Sequence, residues 1–437
     1  MAWQLSLSLM LGGLLCMMAL GLPVVFAFFI VNIFGAIVFL GGDAGLFQMV
    51  RNGSSAVTSF ALVPIPLFLL MGEVMFHTGL AVRAIDAIDR LIVKLPGRLS
   101  LVAIVGGTIF AGLSGSSMAN TAMLGSTLMP EMRRRGYHTT MAVGPILGTG
   151  GIAILIPPSG LAVLLGSLAS ISISDLLIGG IVPGVLIAAL FFAYVVIRCW
   201  RDPTLAPAYP VEPQPFLVRI RPFAVYVLPL IGIFVVVVGS MLVGVATPSE
   251  SAALGAVAAV LAAACYRKLT WNSLRVSLIE TGKISAMIFF IATASLTFSQ
   301  ILAFSGATQG LLGIIRTASF GPFELLAGML VILLILGCFM DQLSMMMITL
   351  PFFMPLARTL NFDLVWFGVL MLLALEIGFT TPPFGLLLFI MKGVAPPDIT
   401  MRQICAAAGP FILLEIVALA ILMIDPSTVT WLTEFAR

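Results

Sequence analysis

Ser114, Gly115, Ser116 and Ser117 bring three hydroxyls and a glycine to one point of an otherwise apolar stretch, and Asp341, Gln342 and Ser344 bring a carboxyl, an amide and a hydroxyl to another. Each cluster is followed by a proline pair, Pro157-Pro158 after the first and Pro382-Pro383 after the second. The spacing repeats as well. Met129-Pro130 and Met354-Pro355 precede their proline pairs by 27 positions, and the two copies lie 225 residues apart. Proline removes a backbone donor and pushes the residue before it out of the α region, so a pair of prolines breaks a helix. Broken helices in corresponding halves of a membrane chain point to a transporter's binding site.

The chemistry of the two copies differs. Uncharged hydroxyls at Ser114, Ser116 and Ser117, free N–H groups of a helix starting near Ser117, and the amide of Asn120 suit an anionic carboxylate. On the opposite side, Pro157 and Pro158 cannot bond the carbonyls of Ala153 and Ile154. Oxygens from Gly150 and Gly151 through Ile154 are then left for a hard monovalent cation. In the second copy, Gly337 precedes the cluster, and Asp341 fits either the N-cap of the next helix or a direct ligand. Gly378 and Phe379 carbonyls, with the hydroxyls of Thr380 and Thr381, offer a second, pseudosymmetric cation site. The plainer reading of serines and glycines is close helix packing. That suits Gly115 alone better than it suits a serine cluster facing a broken helix.

Acids inside a membrane cost at least a few kcal/mol each, so Glu73 and Glu376 call for a role. Glu73 lies near a span end and fits interfacial snorkelling or a structural pair. Glu376 is deeper, six residues before the second proline pair, and fits cation balance, proton uptake or support of the broken helix. His77 and His138 fall in loops or at span ends.

These residues sit in a chain that is 61% hydrophobic and 9% charged, where soluble domains are roughly a quarter charged. The composition specifies an all-α polytopic membrane protein. The first apolar segment lacks a basic lead and a small-residue cleavage site, so it reads as a retained span. The net charge of +3 comes from basic residues in short inter-span loops. They set orientation and imply no nucleic-acid partner. Five scattered cysteines have no pairing spacing, which predicts neither disulfides nor a metal centre.

A span needs about 20 apolar residues. Residues 5–40 predict two helices turning at Gly21 and Pro23, and a third span runs from Leu62 to Phe76. Residues 81–95 predict an interfacial amphipathic helix, with Val82, Ile85, Ile88, Ile92 and Leu95 on one face. Residues 99–131 would make a helix about 50 Å long, but Gly112 to Ser117 has turn composition and each arm of about 22 Å is too short to span. Basic residues flank both ends: Lys94 and Arg98 before, Arg133 to Arg135 after. The segment therefore reads as a re-entrant hairpin. A broken span at 139–170 and a span at 176–198 complete the half.

Residues 201–221 read as a cytoplasmic linker. The second half repeats the order: spans at 223–245 and 250–266, a polar segment holding Arg267, Lys268, Arg275 and Lys283, and a span at 284–304. A hairpin at 323–357, a broken span at 363–391 and a span at 404–424 follow. Five crossings per half make residues 1–200 and 222–437 inverted repeats with both termini periplasmic, even though Arg316 and Arg358 then lie outside.

The run from Gly112 to Tyr137 resembles the first-hairpin signature of the large membrane subunit of TRAP (tripartite ATP-independent periplasmic) transporters. Leu155 to Ser159, Phe339 to Asp341 and Leu375 to Gly385 are similar to its other motifs. The resemblance implies a sodium-coupled importer of organic acids in the bacterial inner membrane, with no cofactor and two or more coupling sodium ions. It implies two partners, a periplasmic solute-binding protein and a small four-span membrane subunit expected on a separate chain. It also implies an elevator, a transport domain moving against a scaffold.

Sodium sites carried over from the family fall at Ser114, Gly115, Ser116, Gly150, Gly151, Ala153 and Pro157, and at Gly337, Asp341, Gly378, Thr380 and Thr381. Substrate contacts fall at Ser116, Ser117, Asn120, Asp341, Ser344 and Thr381. The chain departs from the family pattern at Gly151-Ile152-Ala153, Ala374 and Leu387. A stand-alone sodium/dicarboxylate carrier would share these features. An intramembrane serine protease built on Gly112-Leu-Ser-Gly115 would need a mid-membrane histidine, which neither His77 nor His138 supplies.

Overall fold

Helix is interrupted where the proline pairs fall. Thr139–Ile152 stops before Pro157-Pro158 and resumes as Gly160–Ala169; Leu364–Thr380 stops before Pro382-Pro383 and resumes as Leu386–Val394. Both proline–proline bonds are cis. The computed structural model describes residues 3–92, 95–207, 215–317 and 320–435. Lys94 and linker residues 208–214 lie outside the described residues. Among the described residues all regular structure is helical.

Among the described residues, six helices are long and apolar enough to cross a membrane: Phe60–His77, Ile173–Arg201, Phe216–Leu242, Pro248–Cys265, Trp271–Phe304 and Met401–Ile424. The shorter apolar helices include both first hairpin arms, Arg98–Ser114 and Pro322–Gly337. Their partners, Ser117–Arg134 and Gln342–Thr359, follow after turns of a few residues. At the N-terminus, Trp3–Ala19 and Val24–Phe39 meet at a turn where Gly21 has φ +84, a conformation that favours glycine.

The halves interleave. Pro64–His77, from the first half, packs on Pro248–Cys265 and Trp271–Phe304, from the second. Met401–Ile424 lies along Thr139–Ile152, and Ser117–Arg134 packs on Leu386–Val394. A single apolar cluster runs through both hairpins, both broken helices and these long helices.

Three stretches refine the sequence reading. Of the polar segment expected before a span at 284–304, Arg267 and Lys268 do lie in the connection between helices, but Arg275 and Lys283 stand on the first part of one 34-residue helix, Trp271–Phe304. Thr270 and Ser273 cap its start reciprocally, and Lys283 pairs with Glu280 at 2.7 Å along the helix. Asp43–Val57 is a further helix that apolar length did not reveal, because its composition is mixed. The amphipathic helix, Leu80–Leu91, buries Leu80, Ala84, Ile85 and Ile88, and Ile85 and Ile88 reach Gly106 of the first hairpin arm. Protein therefore covers the Ile85 and Ile88 part of that face, whereas Leu95 is exposed. Asp89 pairs with Arg98 at 2.7 Å, and burial pushes the Asp89 carboxyl up although Arg98 draws it down.

Candidate functional site

The first hairpin arm ends at Ser114, and Gly115 closes it with φ +58, the left-handed C-cap conformation. Space demands glycine as strongly as backbone does: a methyl at Gly115 would stand 2.4 Å from the Pro158 carbonyl oxygen. The first turn is thus pressed, backbone against backbone, on the first helix break. Gly72 of the third span lies equally close to the backbone of Ser114.

Ser116 N-caps the second arm, its Oγ accepting the Ala119 N–H at 3.3 Å, which leaves its O–H free to donate elsewhere. Ser117 is buried and donates to Glu376 Oε2 at 2.8 Å. Asn120 donates both amide hydrogens to carbonyls, Gly107 at 3.2 Å and Thr149 at 2.9 Å. It braces the hairpin on Thr139–Ile152, and its buried Oδ1 has no hydrogen-bond partner.

Residues 151–159 are all buried. The break keeps some local bonds: the Gly150 carbonyl accepts Ala153 N–H at 3.1 Å, and that of Ile152 accepts those of Leu155 and Ile156. The Gly150 oxygen is therefore not left wholly free, contrary to the expectation from the prolines. Across from it, Thr121 Oγ1 would stand 2.5 Å from a Gly150 methyl, so glycine here seats the second arm.

The second turn repeats the contact with different atoms. A methyl at Gly337 would lie 2.3 Å from Gly378 Cα, and Cys338 Sγ bonds the Pro382 carbonyl at 3.4 Å. Asp341 N-caps the second arm, with Oδ2 accepting Leu343 N–H at 3.0 Å and Ser344 N–H at 3.3 Å, while Oδ1 accepts the Ser344 hydroxyl. The cap is one of the two roles open to Asp341 from sequence.

In the second break, the Gly378 carbonyl accepts Thr381 N–H at 3.0 Å, so it too has a backbone partner. Thr380 and Thr381 donate their hydroxyls to the carbonyls of Glu376 and Ile377 at 3.2 and 2.6 Å. Their oxygens keep lone pairs that can accept or ligate. Unlike the first break, this one is open: Pro383 and Phe384 are exposed, and the Phe384 ring lies 6.0 Å from that of exposed Phe339 of the turn, tilted by 42°.

Glu376 joins the two clusters. Fully buried on Leu364–Thr380, it takes Ser117 from the first turn and Gln342 from the second on a single oxygen, Oε2. The sequence places Gln342 in the second cluster but gives it no role of its own beside the more conspicuous Asp341.

Glu415 was missed altogether, although an acid inside the apolar helix Met401–Ile424 was signal enough. It is 1% exposed, and its Oε1 would stand 2.2 Å from a methyl on Gly151. Glu73 sits apart, its carboxyl 3.1 Å from His77 Nε2 on its own helix. His138 caps Thr139–Ile152 through Nδ1.

Residues 11–428 match the family described as the tripartite ATP-independent periplasmic transporter, DctM component. The chain belongs to that family. It is 32% identical to the C4-dicarboxylate TRAP transporter large permease protein DctM of Pseudomonas aeruginosa, over 84% of this chain and 85% of that one. It is 28% identical to the ectoine/5-hydroxyectoine TRAP transporter large permease protein UehC of Ruegeria pomeroyi, over 97% of both. With the 2,3-diketo-L-gulonate TRAP transporter large permease protein YiaN of Escherichia coli it shares 29% identity, over 90% and 91%.

Among solved structures, the YdaH transporter of Alcanivorax borkumensis matches with TM-score 0.60 at 15% identity, covering 88% of this chain and 89% of that one. MtrF of Neisseria gonorrhoeae, described within a class of antimetabolite efflux pumps, matches at 0.58 and 14%, covering 86% and 83%. At that identity they speak for the fold alone. As a DctM component, the protein is a transport permease of the TRAP system rather than an enzyme.

Proposed function

We propose that this TRAP large permease imports an organic anion across the bacterial inner membrane, driven by sodium, with two or more ions bound per cycle. The observation that carries this reading is the twofold pairing of a hairpin turn with a helix break, at Gly115 against Pro158 and at Cys338 against Pro382. Each pairing sets the N-terminus of an 18-residue helix, Ser117–Arg134 or Gln342–Thr359, beside a non-helical segment. N–H groups and hydroxyls there suit a carboxylate, and carbonyl and hydroxyl oxygens suit sodium.

In this reading Ser114, Gly115 and Ser116 with residues 150–157 hold one ion. Asp341, Gly337, Gly378, Thr380 and Thr381 hold another. The anion lies between, reached by Ser116, Ser117, Ser344 and Thr381. The hairpins and broken helices form the moving domain of an elevator, built from inverted repeats at residues 1–200 and 222–437. Substrate arrives from a periplasmic solute-binding protein, with a small membrane subunit as the second partner. The relatives' names span a C4-dicarboxylate, ectoines and a diketo sugar acid, which leaves the choice of anion to the binding protein.

Sodium binding is tested by thermal unfolding of the purified chain. A ligand that binds only the folded state raises the midpoint, so sodium chloride should raise it above choline chloride of equal ionic strength. Equal midpoints contradict the cation sites.

A further inference from the structure

We propose that the cavity beside Arg358 is a second anion site, which takes the carboxylate of a small organic acid at a place apart from the paired turns. The repeat points to it. Arg133 and Arg358 stand 225 residues apart, the spacing of the two proline pairs, and each lies in the last turn of a second hairpin arm. Arg133 pairs with the carboxylate of Asp398. The position 225 residues before Asp398 holds Ile173, so the other copy lacks the acid. Arg358 instead bonds the Ala169 carbonyl at 2.9 Å, a neutral acceptor for one of its N–H donors. Among the described residues no carboxylate pairs with it.

The guanidinium borders a cavity of about 340 Å³ between the end of Gly160–Ala169, Trp271–Phe304 and Gln342–Thr359. Ser170, Ser295, Ser299 and Thr308 line it, and no acid does. Ser295 and Ser299 are one turn apart and so share a face of their helix. Ser295 is 2% exposed and Thr308 7%. Among the described residues neither hydroxyl has a hydrogen-bond partner, and neither has that of Ser299. Hydroxyls buried without partners are costly, and these border the same space as a guanidinium that no acid neutralises. The donor set matches a carboxylate: the planar fork of arginine takes both oxygens at once, and the hydroxyls donate to the remaining lone pairs.

Size agrees, since small-molecule sites run from about 300 to 1,000 Å³. In the orientation proposed from the inverted repeats, Arg358 lies on the outer side, against the positive-inside bias. An arginine that holds an anion has a reason to stand there. The choice of a carboxylate rests on the proposed import of an organic anion; the unpaired guanidinium and the unpartnered hydroxyls do not.

Ala303, exposed and one turn past Ser299 on the same cavity wall, offers a reporter position that removes no donor. The full chain carrying Ala303→Cys is placed in phosphatidylcholine nanodiscs and labelled with N-ethylmaleimide, and peptide mass spectrometry follows the rate at that position apart from the native cysteines. Choline succinate should slow labelling relative to choline chloride of equal ionic strength, about tenfold where succinate stands about ten times above its dissociation constant. Adding Arg358→Gln should abolish the slowing. Labelling that succinate does not slow, or slows equally in Arg358→Gln, overturns the proposal. So does slowing by phosphatidylglycerol in the nanodisc and not by succinate, which would give the guanidinium to a lipid headgroup. The Ala303→Cys comparison stands without the second substitution, so a misfolded Arg358→Gln leaves the proposal open to refutation. Neither transport nor sodium enters the measurement: failure here leaves the import reading standing, and failed uptake leaves this site standing.

Discussion

Ser117 donates its hydroxyl to Glu376 at 2.8 Å across 259 residues of sequence, and Gln342 donates to the same carboxylate oxygen. Each donor stands at the start of a second hairpin arm. One buried acid therefore links the two turns that the sequence marks as related, and the link is made of hydrogen bonds in a region sealed from water. In such surroundings an unmade bond is costly.

Removing one donor should show that cost. Ser117→Ala is expected to lower stability by about 0.5–1.5 kcal/mol, the typical net worth of one hydrogen bond, because Gln342 still donates to the same oxygen. Thermal unfolding in detergent reads the loss. Ser114→Ala serves as comparison, since Ser114 Oγ has only a 3.5 Å contact with Ser116 N–H.

The two roles of Asp341 are separable by substitution. Asparagine caps as well as aspartate, whereas alanine costs about 0.5–2 kcal/mol. Asp341→Asn should unfold like the wild type and Asp341→Ala earlier. Both should weaken the sodium dependence of uptake. Full sodium activation in Asp341→Asn would reduce Asp341 to a cap.

The helix ends beside the second turn and break touch through glycine, and a methyl at Gly337 would meet Gly378 Cα at 2.3 Å. Backbone cannot swing away as a flexible side chain does, and overpacking typically costs about 1–3 kcal/mol. Gly337→Ala should therefore cut uptake by about tenfold or more. Gly232→Ala, with nothing within 4 Å of the added carbon, should leave uptake unchanged.

At the hairpin base, exposed Arg133 pairs with exposed Asp398 and holds that carboxyl below the ordinary range, chiefly through its hydrogen bond. The sign follows: whatever the pair contributes is present above the ordinary carboxylate range and lost as pH falls through the depressed value. Arg133→Gln should return the Asp398 titration, followed by carbon NMR, toward an ordinary aspartate, with unfolding at neutral pH unchanged because exposed pairs contribute little.

Much of this was legible from local chemistry. Hairpins expected at 99–131 and 323–357 run from Arg98 to Arg134 and from Pro322 to Thr359, and both breaks fall where paired prolines deny the helix its donors. Proline, glycine and cap residues act on their own backbone, so their effect is written where they stand.

Pairings over distance are not written that way. Nothing near Glu376 in the chain names Ser117, and nothing near Gly151 names Glu415; only the packing of Met401–Ile424 along Thr139–Ile152 brings the latter two together. Carbonyls expected to be free at Gly150 and Gly378 accept the N–H three residues on, a local tightening that proline counting cannot foresee. Trp271–Phe304 was divided too early because charges read as loop are tolerated on the flank of a long helix.

Uptake into sealed vesicles tests the central claim most directly. The chain is reconstituted with its small subunit, and the labelled ligand of its periplasmic binding protein is supplied with and without that protein, under an inward sodium gradient or an equal choline gradient. The account predicts accumulation only when binding protein and sodium gradient are both present. Accumulation without the binding protein would make this a stand-alone carrier, and accumulation under choline would remove sodium as the driving ion.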